Sequence, residues 1–484
     1  MATETTPLFN GRTSAHASDD TDSTFAGVNH AEHGIREPDK TPFPITQVLL
    51  LCYARLTEPI AFFCIFPFIA QMVKANGRLD DSDVGFYSGI IESLFSITQM
   101  VVLLFWGRLA DKIGRKPVLL YSMLGMAVGS TLFGFSTSIL QMVVFRCLAG
   151  VFSGSSLILR TMVAEISTKE TEATMFSWFA FSGNLGIFLG PLIGGVLADP
   201  TQQYPGLFGG LDFLKKYPYA LSCLVTGSLS LTGALTSALF LNETLKKESV
   251  DESSSTATNA QQTNQSIWQL LRAPGVAIVL WVNTHCMLLA FAFTAILPVA
   301  LFTPVSLGGA SMSSLEISVF LAIQGGSQAL WILIGFPVLQ RRMGTRRLLK
   351  VCGDAYPFLF LSYIVLNTLL RYGGHIACVW FWILGTVVVT IFPGVAMMFT
   401  GTQLVINNIS PDTQTLGTLN ALALTICSGI RAFVPAVGTA IYAIGVRSQI
   451  LGGHLAWVIL TAAAIAFAVC VRCLPGDNPK KVPT

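Results

Sequence analysis

The stretch WGRLADKIGRK, residues 106–116, lies between two long apolar runs and holds five charged residues and two glycines. The whole chain has 484 residues, of which only 11% are charged, so such a cluster stands out. Charged side chains are costly inside lipid, which means that the stretch must lie at a membrane face. It therefore predicts a tight, charged hairpin between two membrane-spanning helices.

The composition of the rest of the chain supports this prediction. Hydrophobic residues make up 52% of the chain and charged residues only 11%. In a soluble protein, roughly a quarter of the residues are charged. A buried core cannot absorb so much apolar surface, so part of the surface must face lipid. The net charge of +3 and the lack of basic runs with interleaved aromatics argue against a nucleic-acid partner. The ten cysteines are scattered and are interpreted as packing residues.

Twelve apolar segments follow one another, six in each half of the chain. Each is long enough to cross a hydrocarbon core of about 30 Å. They cover 45–73, 84–106, 117–136, 138–162, 175–198, 217–241, 274–302, 313–339, 347–370, 374–403, 413–443 and 450–472. The predicted division is a tail (1–42), a first half (43–241), a polar linker (242–272), a second half (273–473) and a second tail (474–484). The fold class is an all-α membrane protein.

Lysine and arginine are concentrated in loops on one side of the predicted bundle, namely 107–116, 163–174, 242–272 and 340–350. The positive-inside rule places these loops and both termini in the cytoplasm. Lys215 and Lys216, in an opposite loop, are an exception. The polar first forty residues predict a disordered tail rather than a signal peptide. We expect the plasma membrane, with the vacuole or another endomembrane as the alternative.

The two halves echo each other. The second apolar segment of the second half is followed by FPVLQRRMGTR, residues 336–346, which repeats the spacing and the basic character of residues 106–116. Arg341 stands in place of Asp111, so the acidic residue is present only in the first copy. Six-helix repeats around a midplane site are a known transporter layout.

Small residues recur every four positions in the fifth segment, at Gly186, Gly190 and Gly194, and Gly195 follows directly. Such a row lets helices pack closely, and Pro191 removes a backbone donor and bends the helix. Two interpretations stay open, namely packing alone, or a hinge and seal between the halves.

Four motifs in this order resemble those of the major facilitator superfamily. They are Gly107-x3-Asp111-Lys112-x-Gly114-Arg115-Lys116, Arg146-x3-Gly150, Ser177-x8-Gly186-x3-Gly190-Pro191-x2-Gly194-Gly195, and Leu241–Leu245. The closer similarity is to drug:proton antiporters and to the zinc-induced facilitator-like group, in its fungal form. The resemblance implies twelve helices in two pseudo-repeats and a latch from the first motif to the eleventh helix. The alternative is a basic loop that only sets topology. The zinc name is not taken literally, since no intramembrane ligand cluster is evident, and we expect no metal site.

Charged residues inside the segments need a reason, because a centred charge costs about 2.5–3.5 kcal/mol. We predict that Glu58, Glu92 and Arg146 couple transport to protons. Burial and a nearby arginine change the pKa of a carboxyl group in opposite directions, so its protonation can depend on conformation. Arg146 also matches the family position associated with coupling. The alternative is a static salt-bridge network. Arg55 and Glu58, at i and i+3, can pair on one helix face. No cofactor is expected, and the driving force is a proton gradient.

Further polar side chains in the segments are candidates for lining a substrate cavity. They are Arg55, Asn283, His285, Gln324, Gln328, Gln403, Asn420 and Arg431. The alternative for most of them is hydrogen bonding between helices.

The sequence thus predicts a proton-coupled antiporter that exports a small organic molecule such as a drug, a secondary metabolite or an organic acid. A nutrient importer and a non-transporting membrane sensor are the alternatives. An enzyme is not expected, since GxSxG, HExxH and GxxxxGK[ST] are absent from the sequence and no catalytic residue is proposed. The expected partners are the lipid bilayer and a small-molecule substrate, and we expect the chain to function as a monomer.

Overall fold

The computed structural model describes residues 44–168, 171–245, 272–409 and 413–474. Regular structure in these ranges is helical throughout. The predicted tails, apart from Leu474, and most of the predicted linker fall outside the described residues, and so do 169–170 and 410–412.

The first half contains six spanning segments, here α1 to α6. Segment α1 is Ile45–Phe63 and, after a turn, Ile69–Gly77; α2 is Val84–Ile113; α3 is Arg115–Gly134; α4 is Ile139–Val151 followed by Ser155–Ile166; α5 is Glu172–Val196; α6 is Ala220–Phe240. Three short helices, Pro200–Gln203, Pro205–Phe208 and Asp212–Lys216, connect α5 to α6.

The second half contains α7 to α12. Segment α7 is Val276–Phe302; α8 is Ser314–Leu330, a π-turn at Trp331–Gly335, and Phe336–Met343; α9 is Thr345–Tyr372; α10 is His375–Thr390, a 3₁₀ turn at Phe392–Ala396, and Met397–Ile409; α11 is Thr413–Arg447; α12 is Leu455–Arg472. A short 3₁₀ turn, Val305–Leu307, follows α7, and another, Ile450–Gly453, lies between α11 and α12.

Within the described ranges, eleven helices are long and apolar enough to span a membrane. The remaining segment is α1, which is broken by the turn after Phe63 and carries Arg55 and Glu58. Together they give the twelve segments that the sequence predicts, and the fold class is confirmed.

The charged stretch at residues 106–116 is a tight hairpin, as predicted, but it is mostly helical rather than a loop. Helix α2 continues to Ile113, beyond the predicted end at 106, and α3 begins at Arg115. The turn is Gly114 alone, whose φ of 112° is open to glycine but strained for other residues. Gly344, with φ 78°, makes the same one-residue turn between α8 and α9. We call the end of the bundle that holds these two turns the loop end, and the opposite end the far end.

The two halves meet at the far end. The start of α2 packs on the end of α11, where the Ala436 amide donates to Ser93 Oγ at 2.8 Å. The end of α5 packs on the start of α8, where Ser318 Oγ donates to the Pro191 carbonyl at 2.8 Å. Buried hydrophobic residues otherwise form a separate cluster in each half. The halves are therefore two bodies joined mainly through helices α2, α5, α8 and α11.

A candidate proton and substrate site between broken helices

Arg146 lies against the break in α1. Its side chain is 3% exposed, and its Nη2 donates to the Phe62 carbonyl at 3.3 Å. The first piece of α1 ends at Phe63, so the arginine sits at a helix C-terminus, where the dipole favours a cation. The guanidinium carbon also lies 4.4 Å from the ring centre of Phe95 and 4.9 Å from that of Phe62.

The break in α4 is stabilised by other helices. Their side chains donate hydrogen bonds to the carbonyl groups that have lost their helical partners at the break. The Trp106 indole donates to the Val151 carbonyl at 2.6 Å. Ser122 Oγ donates to the Phe152 carbonyl at 2.5 Å, and Gln99 Nε2 donates to the Ser153 carbonyl at 3.0 Å. Buried backbone groups are almost always paired in this way. Trp106, the first residue of the charged stretch, thus helps to fix a break two helices away.

Glu58 binds the second piece of α4 at its N-terminus. Its carboxylate accepts from Ser155 Oγ at 2.5 Å, from Ser156 Oγ at 2.6 Å and from the Ser156 amide at 2.9 Å. Ser153 Oγ at 2.9 Å and Gln99 Nε2 at 3.2 Å complete the set. A helix N-terminus with several donors stabilises a negative charge. In this state, hydrogen bonds within the first half therefore hold the carboxylate of Glu58 in place.

Arg55 does not pair directly with Glu58, although the i, i+3 spacing predicts such a pair. Its Nη1 donates to Ser156 Oγ at 2.8 Å, and that hydroxyl in turn donates to Glu58. The guanidinium carbon lies 5.1 Å from the Phe179 ring centre. Its Nε is buried without a hydrogen-bond partner among the described residues.

Glu92 is the second buried carboxylate, and its surroundings differ. It is 7% exposed, yet it forms no hydrogen bond or ion pair with any residue in the described ranges. The cations that act on it electrostatically are Arg146 in its own half and Arg431 in the other half. Its charge is thus balanced at a distance by arginines of both halves.

Arg431 links the second half to this site. It lies on α11 with its guanidinium carbon 4.8 Å from the Phe62 ring centre. Phe62 therefore contacts Arg146 of the first half and Arg431 of the second half. Glu58 and Glu92 both act electrostatically on Arg431. Glu58, Glu92 and Arg146, together with Arg55 and Arg431, converge on one region between α1, α2, α4 and α11.

Three of the other six cavity candidates make contacts away from this region. Asn283 accepts from Thr402 Oγ1 at 3.3 Å, which is the interhelical bond given as the alternative. The ring of His285 packs 5.2 Å from Phe467, between α7 and α12. Gln403 is exposed and donates to Asn407 at 3.1 Å. Three candidates remain. Gln324 has a buried Oε1 without a hydrogen-bond partner in the described part of the chain, Gln328 is half-buried, and the side chain of Asn420 lies outside the described residues.

The predicted latch residues form a network within the first half. Arg115 bonds Asp111 one turn earlier and Glu165 of α4 at 3.1 Å. Arg108 and Lys112 are exposed. The first residues of α11 carry side chains outside the described set, so the latch to α11 stays a prediction.

Glu243, just after α6, completes this network and was missed from the sequence. Its carboxylate accepts from the backbone amides of Arg115 and Lys116 at 2.9 and 3.0 Å, at the start of α3. Burial raises the pKa of Glu243, but the backbone amides of Leu245, Arg115, Lys116 and Thr244 outweigh it, so that the pKa lies below its usual value. Glu243 lies in the motif Leu241–Leu245, and this was the sequence feature that could have identified it.

The fifth-helix glycines pack on two different helices. A Cβ at Gly186, Gly190 or Gly194 would come within 3.0 Å of atoms of α1, and at Gly194 it would lie 1.9 Å from the Cys64 carbonyl oxygen. A Cβ at Gly195 would instead lie 2.0 Å from Ser318 Cβ on α8. The motif packs α5 within its own half and also seals it against the other half. Ser177, at its start, is exposed.

Comparison with known proteins agrees with this geometry. The sequence profile of the Major Facilitator Superfamily matches residues 51–435. The chain belongs to this superfamily. It is a multi-pass membrane transporter of small molecules rather than an enzyme.

Curated relatives and solved structures narrow the group. The transporter is 39% identical over 457 residues to "Efflux pump azaK" of Aspergillus niger, covering 94% of both chains. It is 24% identical to "Protein ZINC INDUCED FACILITATOR 1" of Arabidopsis thaliana, covering 87% of this chain and 90% of that one. A solved D-xylose–proton symporter matches with a TM-score of 0.70 at 12% identity, covering 90% and 98%. The predicted resemblance to fungal efflux pumps and to zinc-induced facilitator-like proteins is confirmed.

Among the described residues, no three His, Cys, Asp or Glu side chains cluster closely enough to hold a metal ion.

Proposed function

We propose that this transporter exports a small organic molecule from the cytoplasm in exchange for protons. The similarity to an efflux pump along almost the whole chain supports export. The observation that supports proton exchange is Glu92, a buried carboxylate that has no direct partner among the described residues and interacts electrostatically with arginines of both halves.

Protonation of Glu92 would change the forces between the halves. When ionised, it attracts Arg146 and Arg431 together, since opposite charges in a medium of low dielectric constant interact strongly. When neutral, it no longer offsets the repulsion between those two cations. A proton on Glu92 therefore biases how the halves sit across Phe62, which is what alternating access requires.

Glu58 serves a different role in this scheme. Its five donors all come from α2 and α4 of its own half. It orients Ser156 and, through that hydroxyl, Arg55. We place Glu58 and Arg55 as positioning residues, and Glu92, Arg146 and Arg431 as the group that moves protons and cargo.

The predicted topology places this state in the transport cycle, and the similarity to an efflux pump is what supports export as the direction. The lysines and arginines place the loop end in the cytoplasm, and the halves meet at the far end. A bundle closed at the far end is in the state that loads cargo from the cytoplasm. The cargo class stays broad, namely a drug, a secondary metabolite or an organic acid that can approach Arg431.

The test is transport by the purified protein in liposomes with an imposed pH gradient, against a panel of drugs, secondary metabolites and organic acids. We expect uptake or release of at least one compound to follow the gradient. Glu92→Gln should still exchange cargo between compartments at equal concentration but lose the response to the pH gradient. Asp212→Asn, a change at an exposed carboxylate, is the matched control.

Undiminished pH-driven transport by Glu92→Gln would remove Glu92 from the coupling step. Transport only in the direction of uptake would favour the importer. No transport of any panel compound, together with cargo-dependent stabilisation of the protein, would favour a sensor.

A further inference from the structure

Glu92 lies between two serines on the same face of α2. Ser88 precedes it by four residues, and Ser96 follows it by four. Residues four apart lie one above the other on a helix, about 6 Å along its axis. All three side chains are buried. They form a polar row through an apolar interior, which we call the α2 row.

The hydroxyl groups of Ser88 and Ser96 have no hydrogen-bond partner in the described ranges, although both oxygen atoms are shielded from solvent. A hydroxyl on a helix often donates to the carbonyl four residues earlier, as Thr98 of the same helix does with Leu94. Few buried polar atoms in native proteins lack a partner, and each one calls for an explanation. The two hydroxyls nearest Glu92 along the helix are thus free to bind a group that comes and goes.

The α2 row runs from the far end of the bundle towards the loop end. Helix α2 begins at Val84 at the far end, and Ser88 lies about one turn inside it. On the other side of Glu92, Gln99 continues the row three residues after Ser96 and donates to Glu58 at 3.2 Å. The row therefore reaches from the closed far end to the polar cluster at the break in α4.

The charged groups that act on Glu92 come from two helices and leave it free to move. Arg146 on α4 and Arg431 on α11 act on it electrostatically. On α1, Glu58 and Lys74 are bonded elsewhere, and α7, which also packs on α2, has no charged side chain. No hydrogen bond from a described residue holds the Glu92 carboxyl, so it can turn towards either serine.

We propose that Ser88 and Ser96 relay protons to and from Glu92, Ser88 on the far-end side and Ser96 on the loop-end side. This inference rests on the proton exchange at Glu92 proposed above. A serine hydroxyl can donate and accept at the same time. It passes its proton to the carboxylate and takes another from a hydronium ion, which becomes water. Glu92 gains one proton, the serine ends as it began, and the reverse steps release the proton.

Two serines are needed because an alternating-access carrier opens to one end at a time. In the present state the halves are closed at the far end, so Glu92 exchanges protons with the loop end through Ser96. In the opposite state Ser88 lies on the open side. The Glu92 side chain is long enough to reach the neighbouring turn on either side.

Infrared spectroscopy of the full-length protein in detergent tests the relay without any cargo. The C=O stretch of a protonated carboxyl shifts when deuterium replaces its hydrogen, and the difference between wild type and Glu92→Gln assigns the band of Glu92. After rapid transfer to acidic deuterated buffer, the shift of this band gives the rate of proton exchange at Glu92. We expect Ser96→Ala to slow this exchange about five-fold, as the loss of one hydrogen bond implies.

The two serines should differ in this state. Ser88→Ala should have a smaller effect than Ser96→Ala, because the far end is closed. The double variant should exchange more slowly than either single variant, since neither relay remains. A larger effect of Ser88→Ala would overturn the assignment of the two sides. A double variant no slower than Ser96→Ala would remove Ser88 from the relay.

Ser130→Ala is the matched control, because Ser130 on α3 is also buried with an unpartnered hydroxyl but lies outside the α2 row. It should exchange at the wild-type rate, and so should Ser96→Thr, which keeps the hydroxyl. A wild-type rate in Ser96→Ala, or equal slowing in Ser130→Ala, would overturn the relay. If Ser96→Ala does not fold, Ser96→Cys takes its place with the same expectation, since a thiol is a weak hydrogen-bonding group.

The relay and the proposed function fail in different ways. A wild-type spectrum without a protonated Glu92 band, or pH-driven transport that persists in Glu92→Gln, would count against proton exchange at Glu92 itself. Serine variants with the wild-type exchange rate, together with loss of the pH response in Glu92→Gln, would remove the relay alone.

Discussion

Two buried carboxylates of the first half show how local donors decide the role of a charge. Glu58 has five donors at a helix N-terminus, whereas Glu92 has no direct partner among the described residues and only distant arginines. An unsatisfied buried charge is costly, so it persists where it has a function. Of the two, Glu92 is the one that we propose to change its protonation through a transport cycle.

Glu243 carries a pH prediction at the scale of one residue. Its pKa in the folded protein lies below the usual 4.5, because backbone amides at the start of α3 stabilise the charged form. The stability it contributes is therefore present above that usual value and is lost as pH falls through the folded pKa. Glu243→Gln should lower the melting temperature at pH 6, and the difference should shrink at acid pH.

Thermal unfolding of wild type and Glu243→Gln between about pH 6 and pH 3 measures this difference. Asp212→Asn is the control, since Asp212 is an exposed carboxylate. A difference that stays constant down to the lowest pH would contradict the assignment.

Residue-level chemistry was predictable where it depends on charge in an apolar segment. Glu58, Glu92, Arg146 and Arg431 were selected for that reason, and they do converge. Their partners were not predictable, since the contacts of Phe62 with two arginines depend on helix rotation. One sequence feature could have indicated the partners of Glu58, namely the polar run Ser153–Ser156 inside an apolar segment.

At the scale of an element, the breaks in α1 and α4 shape the site more than any regular helix does. Each break exposes a helix end to a side chain of opposite charge, Arg146 in one case and Glu58 in the other. Apolar length predicted the twelve segments, because a span must cover the membrane core. It could not predict the breaks, since a segment with a short turn covers the same apolar length as an unbroken helix.

The glycine row of α5 carries a prediction that separates two effects. Gly194→Ala should destabilise the first half, because the new methyl group would meet the Cys64 backbone of α1. Gly195→Ala should leave that half intact but push α5 from α8, since its Cβ would meet Ser318 and the Ser314 carbonyl. We expect Gly195→Ala to shift the population towards states that are open at the far end.

Melting temperature reports the first effect, and solvent labelling of single cysteines at the far end reports the second. Gly429→Ala is the matched control, because a Cβ there meets nothing within 4 Å. Equal behaviour of Gly194→Ala and Gly195→Ala would refute the division of the motif between α1 and α8.

At the scale of the whole molecule, the structure shows one of the two states that alternating access needs. The halves contact each other at the far end through α2 with α11 and α5 with α8. In this state Asp111 bonds Arg115 of its own half. A latch from Asp111 to α11 would belong to the other state, with the loop end closed.

Asp111→Ala should therefore slow the exchange between access states while leaving the present state folded. Accessibility labelling at both ends, followed over time after addition of cargo, measures the exchange rate. Arg108→Gln changes an exposed charge of the same stretch and should have little effect. Unchanged rates in Asp111→Ala would show that the first motif only sets topology.

The convergence of Arg55, Arg146 and Arg431 on Glu58 and Glu92 also has an electrical consequence. Three positive and two negative groups leave one net positive charge in the membrane interior, and two when Glu92 is protonated. A membrane voltage of 100 mV acts on each unit charge with about 2.3 kcal/mol across the full field. The turnover of this carrier should therefore depend on voltage, and the protonated form should respond to it more steeply.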